Sequence, residues 1–385
     1  MVLIMSRLIL LLSLYLCIYG SAHLYVLIKL RRAYYLHGIS YGFLFVLLVF
    51  LMLAPIQARI LEAQGHLVWA IVTAWTGYVW MGFLFIAICL SLPLDGYHLL
   101  IGLGQRLMQQ DWAHLMLSRR QCVGLAALAA LGIMVYGAFE AYHLRIEMIP
   151  LSTTKLPAKA KSVRIVQISD LHLGLMYYPG RLQPVLKAID ALKPDVLVST
   201  GDLVDGSTPS TELLTAELHA LKAPLGKFAV TGNHEFYMGL QKAKRFVEKA
   251  GFQLLRNQSV DVGEHLSITG VEGSTGEATI EPSEAQLLAA NSPKRFSLLL
   301  KHRPTLVHAN RTRFDLQLSG HTHKGQIFPF NLLIALRYPI RCGLHQLEGP
   351  NPAHLYVSRG TGTWGPPIRL LAPPEITVFD LMPAK

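Results

Sequence analysis

Apolar residues dominate the first 145 positions of the chain, and their share falls to that of an ordinary globular protein afterwards. Four apolar stretches are long enough to cross a bilayer as helices, which takes about 20 residues each; they are Leu8–Ile28, Ile39–Ile56, Leu67–Leu92 and Cys122–Tyr142. The first stretch lacks a clear small-residue cleavage site and three more follow it, so we interpret it as a span and not as a signal peptide. The pattern predicts a transmembrane anchor domain of about four helices at residues 1–145.

The pattern changes to short apolar runs alternating with amphipathic segments from Val163 onward. The preceding stretch has no apolar period and is rich in Ser, Thr, Pro and Lys, which predicts a linker at residues 146–162. Strands are predicted at Val163–Ile168, Val196–Thr200, Phe228–Val230, Leu266–Val271, Phe296–Leu300 and Phe314–Leu318. Helices are predicted between them at Arg181–Lys193, Thr211–Ala220 and Leu240–Ala250. This alternation indicates an α/β domain at residues 163–385.

The composition agrees with a membrane protein. Of the 385 residues, 52% are hydrophobic and only 15% are charged, which is too apolar for a soluble protein. The formal net charge is +11, but the basic residues are scattered and form no aromatic-interleaved stripe, so we expect no nucleic-acid partner. The four cysteines predict no disulfide framework, because Cys17, Cys89 and Cys122 lie in apolar segments and Cys342 lies far downstream.

The loops between the spans predict an orientation. The first and third loops carry most of the basic residues, namely Lys29, Arg31, Arg32, Arg106, Arg119 and Arg120. The N-terminus has Arg7 and the second loop Arg59. Cytoplasmic loops are enriched in Lys and Arg, so we expect both termini, and the domain at 163–385, on the extracytoplasmic side.

Polar residues that ligate metals recur at the predicted strand ends. They are Asp170, His172, Asp202, Asn233, His302, His321 and His323. Any one of them is more often an ordinary core or surface residue, and the recurrence is what predicts a site. A carboxylate such as Asp202 has two oxygens and can bridge two ions. Mixed nitrogen and oxygen donors without thiolate suit Mn, Fe, Zn or a similar divalent ion.

Taken together, these motifs resemble a known family. Asp170-x-His172, Gly201-Asp202-x-x-Asp205, Gly232-Asn233-His234-Glu235, His302 and Gly320-His321-x-His323 resemble the calcineurin-like metallophosphoesterase signature in its full order. The resemblance covers roughly residues 160–382, and the tail is similar to the bacterial membrane branch that includes YkuE and YaeI. It implies a four-layer αββα sandwich and a location in the bacterial cytoplasmic membrane.

The resemblance also implies roles for single residues. One metal would be held by Asp170, His172, Asp202 and His323, and a second by Asp202, Asn233, His302 and His321. His234 would be the general acid, while Asp205 and Glu235 would support the site. The implied reaction is hydrolysis of a phosphodiester, monoester or pyrophosphate by a metal-activated hydroxide. A membrane-tethered enzyme of this kind has lipid-linked or cell-envelope phosphates among its candidate substrates.

Several alternatives stay open at this point. The phosphoesterase domain could be inactive and regulatory, or the spans could form a transporter, although they lack buried acidic or basic pairs apart from Glu140 near an end. Arg303 and Lys324 either bind a substrate phosphate or are plain surface charges. The apolar stretch from Gln326 to Arg341 either packs on the core or faces a bilayer.

Overall fold

The chain divides into two units, residues 1–137 and 138–385. The computed structural model describes residues 2–176, 179–207, 211–273, 282–349 and 353–384. The first unit is helical, and the second is built around β-sheets.

Within the described residues, four helices are long and apolar enough to cross a membrane, which confirms the predicted number of spans. They are α1 (Val2–Tyr34), α2 (Gly38–Ala63), α3 (Leu67–Met108) and α4 (Arg119–Tyr142). Many of their large apolar side chains point outward, among them Ile39, Phe43 and Leu128. Such exposure is unfavourable in water and neutral in hydrocarbon, so it fits helices surrounded by lipid.

The third helix is longer than the predicted span. It continues past Leu92, through Pro93, to Met108, and it therefore brings Asp95 into the apolar unit. Lys29 Nζ of α1 lies 2.7 Å from Asp95 Oδ1, an ion pair that the sequence pattern does not predict. Ionisable pairs in spans often mark transport or relay paths, and the apolar unit thus contains a pair of the kind that a transporter would need. This pair lies close to the end of α1, beside Arg31 and Arg32, where the membrane–water interface is expected.

Two six-stranded mixed sheets form the centre of the second unit, counted over the described ranges. The first has the order β1-β12-β2-β3-β4-β5, with β1 (Arg145–Thr153), β2 (Val163–Ile168), β3 (Val196–Ser199), β4 (Gly226–Ala229), β5 (Gln253–Leu254) and β12 (Glu375–Pro383). The second has the order β10-β11-β9-β8-β7-β6, with β6 (Gln258–Val262), β7 (Leu266–Val271), β8 (Phe296–Lys301), β9 (Leu316–Ser319), β10 (Gly343–Gln346) and β11 (His354–Val357).

The sheets pack face to face because successive strand residues point to opposite faces. Val196 and Val198 of β3 enter the core between the sheets, together with Leu298 and Leu300 of β8. Leu197 lies on the outer face of the first sheet and Leu299 on that of the second.

Helices cover both outer faces, which gives the predicted four-layer αββα order. The helices of this unit are α5 (Pro179–Leu192), α6 (Thr211–Ala220), α7 (Asn233–Met238), α8 (Leu240–Lys249), α9 (Glu284–Ala289) and α10 (Phe330–Arg337). Apolar residues of α5, α6 and α8 pack on the first sheet, and Leu287 and Leu288 of α9 pack on the second.

The predicted linker at 146–162 differs from the structure in its first half. Arg145–Thr153 forms the edge strand β1, which pairs in parallel with β12 along its whole length. Eight of its nine residues are exposed or half-buried in an irregular order, and Pro150 lies within it, so it lacks the apolar alternation that identifies a strand. An edge strand tolerates both features because one of its sides has no partner.

Candidate metal centre

The predicted ligands all follow strands that run in parallel. Asp170 and His172 follow β2, Asp202 follows β3, and Asn233 follows β4. In the second sheet His302 follows β8, while His321 and His323 follow β9. Ligands in open α/β sheets bind beyond the carboxyl ends of such strands, and both sheets deliver their polar residues to that edge.

The backbone at these positions is strained. Five of the seven predicted ligands have a positive φ, a conformation that is uncommon for residues other than glycine; they are Asp170 (52°), His172 (50°), Asp202 (50°), His321 (71°) and His323 (47°). Strained residues of this kind cluster at functional sites. The strain turns side chains from separate loops toward a common centre.

Two glycines allow the loops to come close enough. Gly201 has φ +96°, and a Cβ there would lie 2.6 Å from His302 Nδ1. A Cβ on Gly320 would lie 2.2 Å from Asp170 Oδ2. Neither position can hold a larger residue unless a ligand side chain moves.

A first cluster joins Asp170, His172 and His323, each of which offers one ligand atom within 4.8 Å of the others. His323 Nε2 lies 3.4 Å from Asp170 Oδ1, and His172 Nε2 lies 3.1 Å from His323 Nε2. Two ring nitrogens that face each other at this distance need a proton or a cation between them. The geometry of the cluster therefore fits a metal ion.

A second cluster joins Asp202, His302 and His321. His302 Nδ1 lies 2.8 Å from the carbonyl oxygen of Thr200; since a carbonyl only accepts, Nδ1 is the donor and Nε2 is the nitrogen that faces the cluster. That Nε2 is 3.2 Å from Asp202 Oδ2 and 3.2 Å from His321 Nδ1. A hydrogen bond to the distal nitrogen is the usual arrangement for a ligating histidine.

Asp202 lies between the two clusters. Its Oδ2 is 3.2 Å from His302 Nε2 and 3.9 Å from His172 Nε2, while its Oδ1 accepts a hydrogen bond from the backbone N–H of His234 at 2.8 Å. Asn233 precedes His234, and its Oδ1 is buried without a hydrogen-bond partner among the described residues. A buried amide oxygen without a donor is costly, and it fits a group that binds a cation.

The charges of the site balance one another. Burial would raise the pKa of Asp202, but His302 and His172 lower it well below its usual range. Burial opposes protonation of His302, and the Asp202 carboxylate nevertheless raises the pKa of His302 to about 9. Burial and the charge of His302, with a smaller effect of Arg303, lower the pKa of His321 to about 3. Asp202 is thus ionised and His321 is neutral, as metal ligation requires, whereas His302 has to release a proton when an ion binds.

His234 lies beside both clusters and next to Asp205. Asp205 Oδ2 is 3.6 Å from His234 Nδ1 and 3.4 Å from His172 Nδ1, so one carboxylate lies near two imidazoles. The His234 ring also lies against the rings of Tyr237 and Trp364, at 5.2 and 6.1 Å between centroids. His172, Asp205 and His234 form a third cluster of side chains that could bind a metal ion.

Glu235 stabilises the loops that carry Asp202 and Asn233 through hydrogen bonds to their backbone. Its carboxylate accepts hydrogen bonds from the backbone N–H groups of Asp202, Leu203, Val204 and Gly232 at 2.7 to 3.2 Å. Burial and the neighbouring Asp202 raise the pKa of Glu235 to about 7. The contacts tie the loop after β3 to the start of α7.

Some residues near the site carry no sequence signal. Arg369 is fully buried, donates hydrogen bonds to four backbone carbonyls, and places Nη2 3.3 Å from His323 Nδ1. The Tyr338 ring lies 5.5 Å from the His321 ring. The glycines and prolines around Arg369 indicate a turn-rich tail, but nothing in the spacing links it to His323. Arg303 and Lys324, which the sequence left open, are both half-buried.

Comparisons with known proteins agree with this geometry. A family model described as calcineurin-like phosphoesterase matches residues 163–325. A metallophosphoesterase of Aquifex aeolicus is 39% identical over 250 residues, which are 64% of this chain and 95% of the relative. The metallophosphoesterase YkuE of Bacillus subtilis is 33% identical, with 69% of this chain and 98% of the relative covered. A transmembrane protein with metallophosphoesterase domain from Danio rerio is 29% identical, with 69% and 64% covered.

The chain therefore belongs to the calcineurin-like phosphoesterase family. It is a metal-dependent phosphoesterase whose catalytic fold follows four apolar helices, and the family implies a phosphate ester as substrate.

Proposed function

We propose that this protein is a membrane-anchored phosphoesterase with two metal ions that share Asp202. The observation that carries the proposal is the position of that carboxylate, within 4 Å of ring nitrogens from both clusters. The proposed ligands of one ion are Asp170, His172, Asp202 and His323, and those of the other are Asp202, Asn233, His302 and His321.

The donor set suits Mn, Fe or Zn, because imidazole and carboxylate ligands without thiolate favour such ions. Bound there, two divalent ions would lower the pKa of water to supply a nucleophile and would neutralise charge on the phosphate. The chain itself holds the donors in place: Glu235 fixes the loop that carries Asp202, and Thr200 fixes the ring of His302.

His234 is the proposed general acid. Its backbone N–H is bound to Asp202, and its ring Nδ1 lies 3.6 Å from Asp205 Oδ2, so the imidazole lies at the edge of both proposed metal sites. A donor placed here gives a proton to the leaving oxygen as the phosphate ester bond breaks. Phosphoryl-transfer enzymes depend mainly on positioning and charge stabilisation, and the site contributes both without a covalent intermediate.

The test is hydrolysis by the purified full-length chain in detergent, with bis(p-nitrophenyl) phosphate as a diester and p-nitrophenyl phosphate as a monoester. We expect turnover that a chelator removes and a divalent ion restores. A chain that binds metal and hydrolyses neither ester would instead favour the inactive, regulatory alternative.

The natural substrate is proposed to be a lipid-linked or cell-envelope phosphate ester outside the cytoplasm. The support is the excess of Lys and Arg in the first and third loops, which predicts a cytoplasmic location for those loops. Green fluorescent protein fused after the C-terminus reports the side directly, because it matures poorly after export. Bright fluorescence would place the catalytic unit in the cytoplasm and contradict the proposed orientation.

A further inference from the structure

The helix α10 (Phe330–Arg337) begins shortly after the last metal-binding motif. It contains Leu332, Leu333, Ile334 and Leu336, yet none of its residues is buried. Leu332 and Leu333 are each 58% exposed, and Leu336 is 84% exposed. A helix on a water-exposed surface normally turns its apolar face to the core. Of the two readings left open by the sequence, the exposure of these three leucines favours the one in which they face outward.

Along the chain, the acidic and basic residues next to this helix have one sign. No Asp or Glu occurs between Asp315 and Glu348, whereas Lys324, Arg337 and Arg341 lie in that interval. We call the exposed leucines of α10 together with these three cations the α10 surface. Apolar side chains flanked by cations are typical of segments that lie in the interface of an anionic membrane.

The α10 surface is built onto the candidate metal centre. Gly325, two residues after His323, packs so closely on Asn331 of α10 that a Cβ there would lie 2.4 Å from its Cα. At the other end, the ring of Tyr338 lies against that of His321. Thr322 also donates a hydrogen bond to the carbonyl of Arg341 at 2.6 Å. Both ends of the helix are thus fixed to the loop that carries His321 and His323.

We propose that the α10 surface inserts its leucines into the interface of an anionic bilayer and brings the metal centre to phosphate groups at that surface. The proposed partner of the α10 surface is the bilayer, because the positive charge of the surface is complementary to anionic lipid headgroups. Chain connectivity also favours it, because the fourth apolar helix ends at Tyr142 and β1 begins at Arg145. The access to phosphate groups at the membrane surface matters only if the proposed function is right, whereas the insertion of the leucines does not depend on that function.

Insertion is tested on the full-length chain in proteoliposomes, independently of activity. Leu336→Cys is made in a background in which the four native cysteines are replaced by serine, and it is labelled with an environment-sensitive fluorophore. Leu213→Cys is the matched control, since Leu213 is 53% exposed on α6. We expect quenching by doxyl-labelled lipid at position 336 and not at 213, stronger with phosphatidylglycerol than with phosphatidylcholine and weaker at high salt.

The effect on turnover is tested with Leu333→Asp combined with Leu336→Asp, and with Leu213→Asp as control. On phosphatidic acid or phosphatidylglycerol in vesicles we expect a loss of about tenfold or more, because the substrate is reached only through the interface. Hydrolysis of bis(p-nitrophenyl) phosphate should stay within about twofold, because the changed side chains are exposed and contact no metal donor.

The outcomes separate the alternatives. Water-like fluorescence at position 336 overturns the proposal, and it does so even if neither lipid is a substrate. Equal loss on soluble and vesicle substrates with a lower melting temperature means that the leucines support the fold. A change of oligomeric state in detergent means that a second copy covers them. Absence of hydrolysis of the soluble diester by the unaltered chain would contradict the proposed function and leave the quenching result standing.

Discussion

Replacement of Asp202 by asparagine is expected to abolish hydrolysis and to lower the bound metal. The carboxylate lies within reach of His302 and His172, so it serves both proposed ions, and asparagine removes the charge while keeping the shape. Metal ions supply several kcal/mol of transition-state stabilisation, and each 1.36 kcal/mol is a factor of ten in rate, so we expect a loss of about 10³-fold or more.

The measurement is turnover of bis(p-nitrophenyl) phosphate together with metal content by elemental analysis. Asp190→Asn is the matched control, because Asp190 is exposed on α5 and should retain both activity and metal. Full activity with full metal occupancy in Asp202→Asn would show that the carboxylate bridges nothing.

Replacement of His234 by alanine is expected to keep the metal and lose turnover. The ring lies beside both clusters without belonging to the proposed ligand sets, and loss of a general acid typically lowers the rate by about 10²–10⁴-fold. The loss should be largest for an alkyl phosphate ester, whose leaving oxygen needs a proton. It should be smaller for a nitrophenyl ester, whose leaving group departs as a stable anion.

His219→Ala provides the comparison, since His219 is an exposed histidine of α6. Loss of metal along with activity in His234→Ala would make His234 a ligand. This outcome is a specific alternative, because His234 lies with His172 and Asp205 in a third cluster that could bind a metal ion. An equal loss for alkyl and nitrophenyl esters would also argue against the acid role.

The sequence predicts the buried strands of the catalytic unit well, because they are short, mostly apolar runs bounded by polar or turn residues. Val163–Ile168 and Leu266–Val271 agree with the structure to the residue. The edge strand β1 could not be predicted, because its partner β12 lies more than 200 residues away and the pairing register follows from tertiary contacts. The extension of α3 past Pro93 could not be predicted either. Local propensity would end the helix there, and contacts with neighbouring helices override that propensity.

The candidate site is predictable as a set of residues, because each motif follows a recognisable strand. Its geometry is not. Asp170 and His323 have positive φ values and lie close to Gly320 and Gly360, and neither feature follows from the spacing of the motifs. The contact of Arg369 with His323 depends on a tail that returns to the first sheet through β12. Exposure of Leu336 is likewise invisible in the sequence, where an apolar run indicates burial.

The most direct test of the central claim is a metal titration of the full-length chain after removal of bound ions by a chelator. Mn²⁺ or Zn²⁺ is added back while bound metal and hydrolysis of bis(p-nitrophenyl) phosphate are followed together. The account predicts two ions per chain, with activity that requires the second, and at most one ion in Asp202→Asn. Full activity at one ion per chain, or two ions retained in Asp202→Asn, would contradict a two-metal centre that shares this carboxylate.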